Sequence, residues 1–338
     1  MRGNRLRYLG SSVIGPLSAM ALAAVAVAIS TDRFLQAGNL MNIALQVSIV
    51  ALMAIGSTFV VLTGGIDLSP GSAIALITMI LAMTIKFLGV PIPLAILAAI
   101  LLGAGLGLIN GVLSTYVRIP TFITTLATMS VFRGIAFLFN NGSPVFSVSN
   151  TLEPVFYGTL LGVPLPFFYV LAFYTLAALF LRYTALGRGI YAVGGNEAAA
   201  RLSGIDVHYV RLMAFVMAGV MAAVAAVLMT ARLNSGSPNY GVGMELQAIA
   251  AAVIGGASLN GGHGNVIATL IGALTIVIVQ NGLNLNAVPT SWQNIATGTI
   301  IALAVLIDMW RVELGALFMR VLRRPVERGR SAPPADDQ

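Results

Sequence analysis

The chain has 338 residues, of which 58% are hydrophobic and only 9% are charged. A soluble domain carries roughly one quarter charged residues, so this composition excludes an ordinary water-soluble protein and indicates a membrane protein. The sequence has no cysteine and two histidines, which excludes disulfides and thiolate or histidine-rich metal sites. The net charge of +7 comes from arginines in predicted short loops and tails, a pattern typical of membrane topology rather than of nucleic-acid binding.

Long apolar runs predict membrane-spanning helices along most of the chain. A helix needs about 20 apolar residues to cross the hydrocarbon core. The fold predicted from these runs is an all-α, polytopic transmembrane bundle of about ten spans with glycine-broken helices. We place the spans near 13–29, 43–63, 92–113, 121–139, 164–181, 212–231, 265–284 and 292–308, with two shorter, glycine-marked runs at 70–85 and 245–259.

The positions of the basic residues predict the orientation. With both termini cytoplasmic, the outward loops keep only Arg33, Lys86 and Arg232, as the positive-inside rule requires. We expect residues 1–30 to form an uncleaved first helix, because the apolar run exceeds the h-region of a signal peptide. Residues 1–322 are predicted to be one transmembrane domain, and the proline-containing residues 323–338 a disordered cytoplasmic tail.

Two glycine-rich breaks interrupt the apolar pattern, "TGGIDLSPGS" and "IGGASLNGGHG". Gly64 and Gly65 align with Gly255 and Gly256 at a constant offset of 191 residues, which suggests a parallel internal repeat. Backbone that is not helical at membrane depth must be covered by protein or line a water-filled cavity. The breaks are therefore candidates for a solute path, although close helix packing also uses glycine. The candidate path residues are Gly64, Gly65, Asp67, Ser69, Gln247, Gly255, Gly256, Asn260 and Asn281.

Charged side chains within the predicted spans are rare, and two of them stand out. Asp67 or Ser69 is expected to cap the helix that begins near Pro70. Arg133 lies in the middle of the 121–139 run, so its side chain must face the bundle interior or extend toward an interface. No chain of acidic residues suited to a proton relay is found, which argues against a proton-driven carrier.

The sequence carries no signature of catalysis. A phosphate-binding G-x-x-x-x-G-K-[ST] motif is lacking, and the only lysine is Lys86 at the end of a span. The few carboxylates are scattered, and neither histidine has a partner at ligand spacing. We therefore expect a transporter subunit rather than an enzyme, with no cofactor or metal on this chain.

The segment "VGGNEAAARLSGI", residues 193–205, predicts a short capped helix within the longest cytoplasmic loop, 182–211. Asn196 is a good N-cap, Glu197 and Arg201 have the i,i+4 spacing of an ion pair, and Gly204 ends the helix. Ala198, Leu202 and Ile205 are expected to share one face. Such a helix outside the bilayer either binds a soluble partner or folds back on the bundle.

These residues carry a family resemblance. "GGNEAAARLSGI" resembles the cytoplasmic coupling motif of the permeases of bacterial ATP-binding cassette importers, in particular the ribose-type branch. "LTGGIDLSPGS", "NNGSPV" and "ELQAIAAAVIGGASLNGGHGNVIATLIGAL" followed by "NGLNL" are similar to other signatures of that branch. Only the first thirty residues and the tail fall outside the similarity.

The resemblance implies an importer in the bacterial inner membrane. Its partners would be a second permease subunit, a cytoplasmic ATPase pair that binds ATP and magnesium, and a periplasmic solute-binding protein. The solute would be a sugar, a pentose first; autoinducer-2, inositol or a nucleoside is the alternative within the family, and a stand-alone secondary carrier is the alternative outside it. The coupling residues implied are Asn196, Glu197, Ala198, Arg201, Leu202 and Gly204.

Overall fold

The computed structural model describes the backbone of residues 2–322 and the side chains of residues 13–306. The predicted tail, 323–338, lies outside the described residues. Helix dominates the described chain, so the all-α prediction is confirmed. The helices are α1 (Arg2–Ser30), α2 (Ala37–Leu62), α3 (Pro70–Lys86), α4 (Ile92–Thr115), α5 (Thr121–Leu138), α6 (Leu152–Tyr157), α7 (Leu165–Tyr183), α8 (Ala185–Gly195), α9 (Glu197–Leu202), α10 (Val207–Leu233), α11 (Met244–Ile254), α12 (Val266–Leu285) and α13 (Thr290–Leu322).

Several helices are long and apolar enough to cross a membrane. Within the described residues there are seven of them: Val13–Ser30, Ala37–Leu62, Ile92–Thr115, Thr121–Gly142, Leu165–Tyr183, Val207–Leu233 and Val266–Leu285. Two further apolar helices, α3 and α11, are shorter. These lengths make the chain a multi-pass membrane protein. The count of about ten spans and the cytoplasmic position of both termini stay predictions.

Helix α2 lies at the centre of the bundle, where it packs against α7, α10, α11 and α12. Its apolar residues continue around the whole helix, as expected for a helix without a solvent face. Polar bonds join it to two neighbours. The Tyr174 hydroxyl of α7 donates to the Ala51 carbonyl at 2.9 Å, and the hydroxyls of Thr58 and Thr269 on α12 lie 3.0 Å apart.

Glycines allow α4 and α10 to approach closely. A Cβ atom on Gly103 would lie 2.4 Å from the Gly219 carbonyl oxygen, and one on Gly107 would lie 2.2 Å from the Phe215 carbonyl oxygen. Small residues with this effect are typical of membrane helix interfaces. Gly105, between them in sequence, has no neighbouring atom within 4 Å of such a Cβ. It therefore faces away from this interface.

The described loops at the predicted outer end contain four two-residue strands. β1 (Val145–Phe146) pairs antiparallel with β4 (Ser235–Gly236). β2 (Thr159–Leu160) pairs with β3 (Val163–Pro164) in a separate hairpin. The β1–β4 pair joins the loop after α5 to the segment between α10 and α11, and a short 3-10 helix, Phe139–Gly142, precedes it.

Candidate coupling helix and solute path

Helix α9 is formed and capped by the residues that the sequence indicates. The Asn196 side chain accepts a hydrogen bond from the Ala199 amide at 2.9 Å. Gly204 has a positive φ of 80°, a conformation that glycine adopts without strain. The helix is therefore defined at both ends by local interactions.

Glu197 makes two ion pairs. Its Oε1 lies 3.0 Å from Arg201, one turn further along α9, and its Oε2 lies 2.8 Å from Arg211 of α10. Partial burial acts to raise the pKa of the Glu197 carboxyl, but Arg211 and Arg201 outweigh that effect and the pKa lies below its usual value. The Arg211 pair joins α9 to the long helix α10, a contact that the sequence analysis did not predict because the partners are fourteen residues apart.

The outward surface of α9 is small and apolar. Ala198 is exposed, and Leu202 is 90% exposed. Ile205 does not share this surface, contrary to prediction. It is half-buried and packs against the bundle near Gly189, because the chain turns inward after Gly204. The face that α9 offers to a partner thus consists of Ala198, Leu202 and the neighbouring polar groups.

The end of α8 contacts both helix breaks. We name residues 63–69 the first break and residues 255–265 the second break. The Gly262 amide of the second break donates to the Leu62 carbonyl, just before the first break, at 2.9 Å. Gly194 packs on this bond so closely that a Cβ atom there would lie 1.8 Å from the Leu62 oxygen and 2.5 Å from the Gly262 nitrogen. We call this contact the glycine junction.

Both breaks begin with the same helix-ending turn. Gly64 follows the end of α2 with φ of 78°, and Gly256 follows the end of α11 with φ of 86°. In each case the paired backbone bonds are those of a Schellman motif, for example from Gly65 to Val60. The structurally equivalent glycines are therefore 192 residues apart, one more than the 191 of the sequence alignment. The sequence alignment paired identical residues, whereas the positions of the helix ends define the structural equivalence.

A buried polar network holds the first break. Asp67 Oδ1 accepts hydrogen bonds from the Ser69 amide at 2.9 Å and from the Ser69 hydroxyl at 2.7 Å. The Asn110 amide of α4 donates to the Ser69 hydroxyl at 2.7 Å, and the Thr128 hydroxyl of α5 donates to Asn110 Oδ1 at 2.6 Å. Ser69 is the N-cap residue of α3, but neither its side chain nor that of Asp67 accepts a capping hydrogen bond, contrary to the prediction. Their bonds instead connect the break to α4 and α5.

A small cavity adjoins this network. It is lined by polar groups of Asp67, Ser69 and Asn110 and by apolar residues of α3, α4 and α10. Its volume of about 10 Å³ is close to the minimum that holds one water molecule. A sugar does not fit in this cavity.

The other candidate path residues lie in different places. Gly65 is buried against Val60, and the Asn260 carbonyl lies beside Gly64 at the glycine junction. Gly255 packs against the backbone of α12, and Gly256 belongs to the helix-ending turn described above. Gln247 is half-buried near the start of α11. Asn281 is buried on α12 and exchanges two hydrogen bonds with Asn39, at 2.9 and 2.8 Å. The Asn281 amide is thus occupied within the bundle, which favours a structural role for it.

The residues between α10 and α11 form a third irregular segment that the sequence analysis treated as an outer loop. We name residues 234–243, "NSGSPNYGVG", the re-entrant segment. Arg133 of α5 donates to two of its carbonyls, Pro238 at 2.7 Å and Tyr240 at 2.6 Å. The dense glycine, proline and asparagine content was the available signal. Two orientations were expected for Arg133, toward the bundle interior or toward an interface, and these bonds correspond to the first.

Two ionisable side chains of the described bundle act on each other without forming a salt bridge, an interaction that the sequence analysis did not predict. The charges of Arg133 and of Glu245, at the start of α11, act on each other. Within the part of the chain that the structure describes, no three His, Asp or Glu side chains come together as a metal site requires.

These features define a class of protein: a polytopic membrane transport protein with interrupted helices and a short capped helix outside the membrane domain. The particular family follows from comparison with known proteins. Residues 39–305 match the family described as branched-chain amino acid transport system / permease component. The chain belongs to this family. It is a transport permease and not an enzyme.

Curated relatives agree with this assignment. The ribose import permease protein RbsC of Escherichia coli (strain K12) is 43% identical over 86% of this chain and 92% of its own length. The ribose import permease protein RbsC of Bacillus subtilis (strain 168) is 41% identical over 87% of this chain and 92% of its own. The xylose transport system permease protein XylH of Haemophilus influenzae is 36% identical over 90% of this chain and 98% of its own. No solved structure matches the chain.

Proposed function

We propose that this chain is the permease subunit of an ATP-binding cassette importer that carries a sugar, a pentose first, from a periplasmic binding protein to the cytoplasm. The similarity to ribose and xylose permeases over most of the chain supports the sugar class. Beside the Asp67 carboxylate, the first break and α4 present the neutral Ser69 hydroxyl and Asn110 amide, groups that suit a polyhydroxyl solute without charge.

The observation that carries the proposal is the continuity between α9 and the two breaks. Helix α9 begins directly after α8, whose Gly194 packs on the bond between Leu62 and Gly262. A displacement of α9 therefore reaches both breaks through backbone contacts. In this proposal the ATPase subunit binds the exposed face of Ala198 and Leu202, and its ATP-driven closure moves α9.

The ion pairs of Glu197 give α9 the rigidity that this role needs. Arg201 holds the helix itself, and Arg211 ties it to α10. Because α10 packs against both α2 and α4, motion of α9 would also reach the wall of the Asp67 cavity. The closed cavity corresponds to a state in which the solute does not pass.

The proposal includes the partners and the location of the complex. The chain would lie in the bacterial inner membrane with both termini in the cytoplasm, beside a second permease subunit of the same or a sister sequence. ATP and magnesium would bind to the ATPase chains. The periplasmic protein would supply the solute affinity, so the path itself needs only weak polar contacts.

The test is transport by the purified complex in proteoliposomes. We expect uptake of labelled ribose, xylose or allose, the sugars for which similar permeases are named. This uptake should require ATP, the ATPase subunit and the binding protein. Glu197→Ala combined with Arg201→Ala should abolish uptake while leaving membrane insertion intact. The matched control is Asp32→Ala, which removes an exposed carboxylate between α1 and α2, outside the loop after α5, and should leave uptake unchanged.

Two results would contradict the proposal. Normal uptake by the Glu197 and Arg201 double variant would remove the coupling role of α9. Concentration of sugar by this chain alone, driven by a proton or sodium gradient, would instead identify a stand-alone secondary carrier. Autoinducer-2, inositol and a nucleoside are tested in the same assay as competing solutes.

A further inference from the structure

The re-entrant segment enters the membrane domain along α3. Gly236 packs against Thr78 and Ala82, and Gly241 packs against Gly71 at the start of the same helix. Ala82 lies eleven residues after Gly71, a separation of about 16 Å along the helix. The segment therefore runs from the β1–β4 pair at the outer end toward the first break, and its Gly241 contacts α3 at Gly71, two residues after Ser69.

Irregular backbone at this depth needs partners for its carbonyl groups, because an unsatisfied group in hydrocarbon costs several kcal/mol. Arg133 supplies two of them, since one Nη1 donates to both Pro238 and Tyr240. The guanidinium is half-buried, and the carboxylate of Glu245 acts on its charge without forming a salt bridge with it. No other side chain of α5 donates to this segment among the described residues.

The contacts around Glu245 are tight but incomplete. Its Oε1 accepts a hydrogen bond from the Gly243 amide at 3.2 Å. Its Oε2 is buried without a hydrogen-bond partner among the described residues and lies against Gly71, where a Cβ atom would be 2.0 Å away. The carboxylate thus has unused capacity to bind a donor when the segment moves.

We propose that Arg133 is a positioning residue that holds the re-entrant segment closed over the outer side of the first break, and that the segment must leave Arg133 when solute enters. This inference rests on the proposed transport function. The β1–β4 pair joins the segment to the outer loop after α5, so a binding protein docked on that loop would act on the segment directly. Glu245 receives the guanidinium when the two carbonyl bonds break.

The absence of native cysteine allows a direct test by thiol labelling. Ser237 is 4% exposed and lies in the segment between the β4 strand and Pro238. A single Ser237→Cys is labelled with a membrane-impermeant maleimide in the nucleotide-free complex, from the binding-protein side. We expect slow labelling when Arg133 is present. Arg133→Gln should raise the rate about tenfold or more, since a hydrogen bond from a charged donor is worth at least that factor in an opening equilibrium.

Four further variants complete the series. Arg133→Lys keeps the charge with a different donor geometry and should give an intermediate rate. The matched control is Arg232→Gln, which removes an arginine at the outer end of α10 that makes no side-chain hydrogen bond within the described residues. It should leave the rate unchanged. Glu245→Gln should raise the rate less than Arg133→Gln, and the double variant should behave as Arg133→Gln alone.

An unchanged labelling rate in correctly inserted Arg133→Gln would overturn the proposal. If that variant does not insert, Arg133→Lys decides, and a rate equal to that of the parent would then overturn it. The coupling test is independent of this one, because Glu197→Ala with Arg201→Ala should stop uptake without changing the labelling of Ser237→Cys in the resting complex. Loss of either result alone therefore identifies which proposal has failed.

Discussion

The amide of Gly262 donates a hydrogen bond to the carbonyl of Leu62 at 2.9 Å, across 200 residues of sequence. This bond joins the two helix breaks, and the end of α8 packs directly on it through Gly194. Three chain segments that are far apart in sequence therefore meet at one point next to α9. The predictions below begin at this junction.

Gly194→Ala should disrupt the glycine junction. Its Cβ would lie 1.8 Å from the Leu62 oxygen, and both neighbours are backbone atoms that cannot rotate away. Overpacking of this kind costs about 1–3 kcal/mol, so we expect both a lower melting temperature and loss of ATP-driven uptake. The control is the adjacent Gly195→Ala, where the nearest atom would be 3.9 Å away. Equal uptake by the two variants would show that the junction is not involved in transport.

Arg211→Gln should impair coupling more than Arg201→Gln. Both arginines pair with Glu197, but the Arg211 side chain is 32% exposed and that of Arg201 is 61% exposed. Solvent screening keeps each pair within about 1 kcal/mol, and the less exposed pair should contribute the larger share. Arg211 also connects two helices, whereas Arg201 acts within one. ATP-driven uptake and the melting temperature of both variants check this order, and the reverse order would contradict it.

The contribution of Glu197 to stability should depend on pH in a defined direction. Its pKa is lowered in the folded chain, so the stabilisation is present in full above about pH 5. It should be lost as the pH falls through the unfolded value of about 4.3 toward the lower folded pKa. The measurement is the difference in melting temperature between the parent and Glu197→Gln at several pH values. A melting-temperature difference between the parent and Glu197→Gln that grows as the pH falls would contradict the prediction.

Local signals made α9 predictable from sequence. An asparagine N-cap, an i,i+4 ion pair and a terminal glycine all act within one short segment, and the structure contains each of them. Ile205 was placed on the wrong face because the turn after Gly204 redirects the chain. The periodicity of a helix applies only as far as the helix continues.

Interactions between distant segments were not predictable in this way. The Arg211 pair, the glycine junction and the network from Asp67 to Thr128 each require knowledge of which helices are neighbours. The re-entrant segment was missed because turn residues after a span normally indicate an outer loop, and nothing local shows that the chain turns back along α3. Composition identified a membrane bundle, whereas packing determined which glycines matter, as Gly103 and Gly105 illustrate.

Gly103→Ala should destabilise the bundle, and Gly105→Ala should not. A Cβ on Gly103 would meet the Gly219 carbonyl at 2.4 Å and the Ala223 methyl at 2.6 Å, whereas one on Gly105 has no atom within 4 Å. Separation of α4 from α10 would also open the wall of the Asp67 cavity. We expect a lower melting temperature in detergent for Gly103→Ala only. Equal melting temperatures for the two variants would show that α4 and α10 do not pack closely at Gly103.

Variants of Asn281 can distinguish a residue that contacts the solute from one that only joins two helices. Its side chain exchanges two hydrogen bonds with Asn39, and both residues are buried. Removing one partner should leave the other unsatisfied. Asn39→Ala and Asn281→Ala should therefore each lower the free energy of unfolding by more than half of the loss in the double variant. In a double-mutant cycle we expect a coupling of about 0.6–2 kcal/mol.

The transport kinetics of the same variants separate the two roles. If Asn281 only joins α2 to α12, the concentration of loaded binding protein that gives half-maximal uptake should be the same in Asn281→Ala and in Asn39→Ala. If Asn281 contacts the solute, its variant should alter the preference among ribose, xylose and allose, and Asn39→Ala should not. We expect the first result, because the amide of Asn281 has both a donor and an acceptor committed to Asn39.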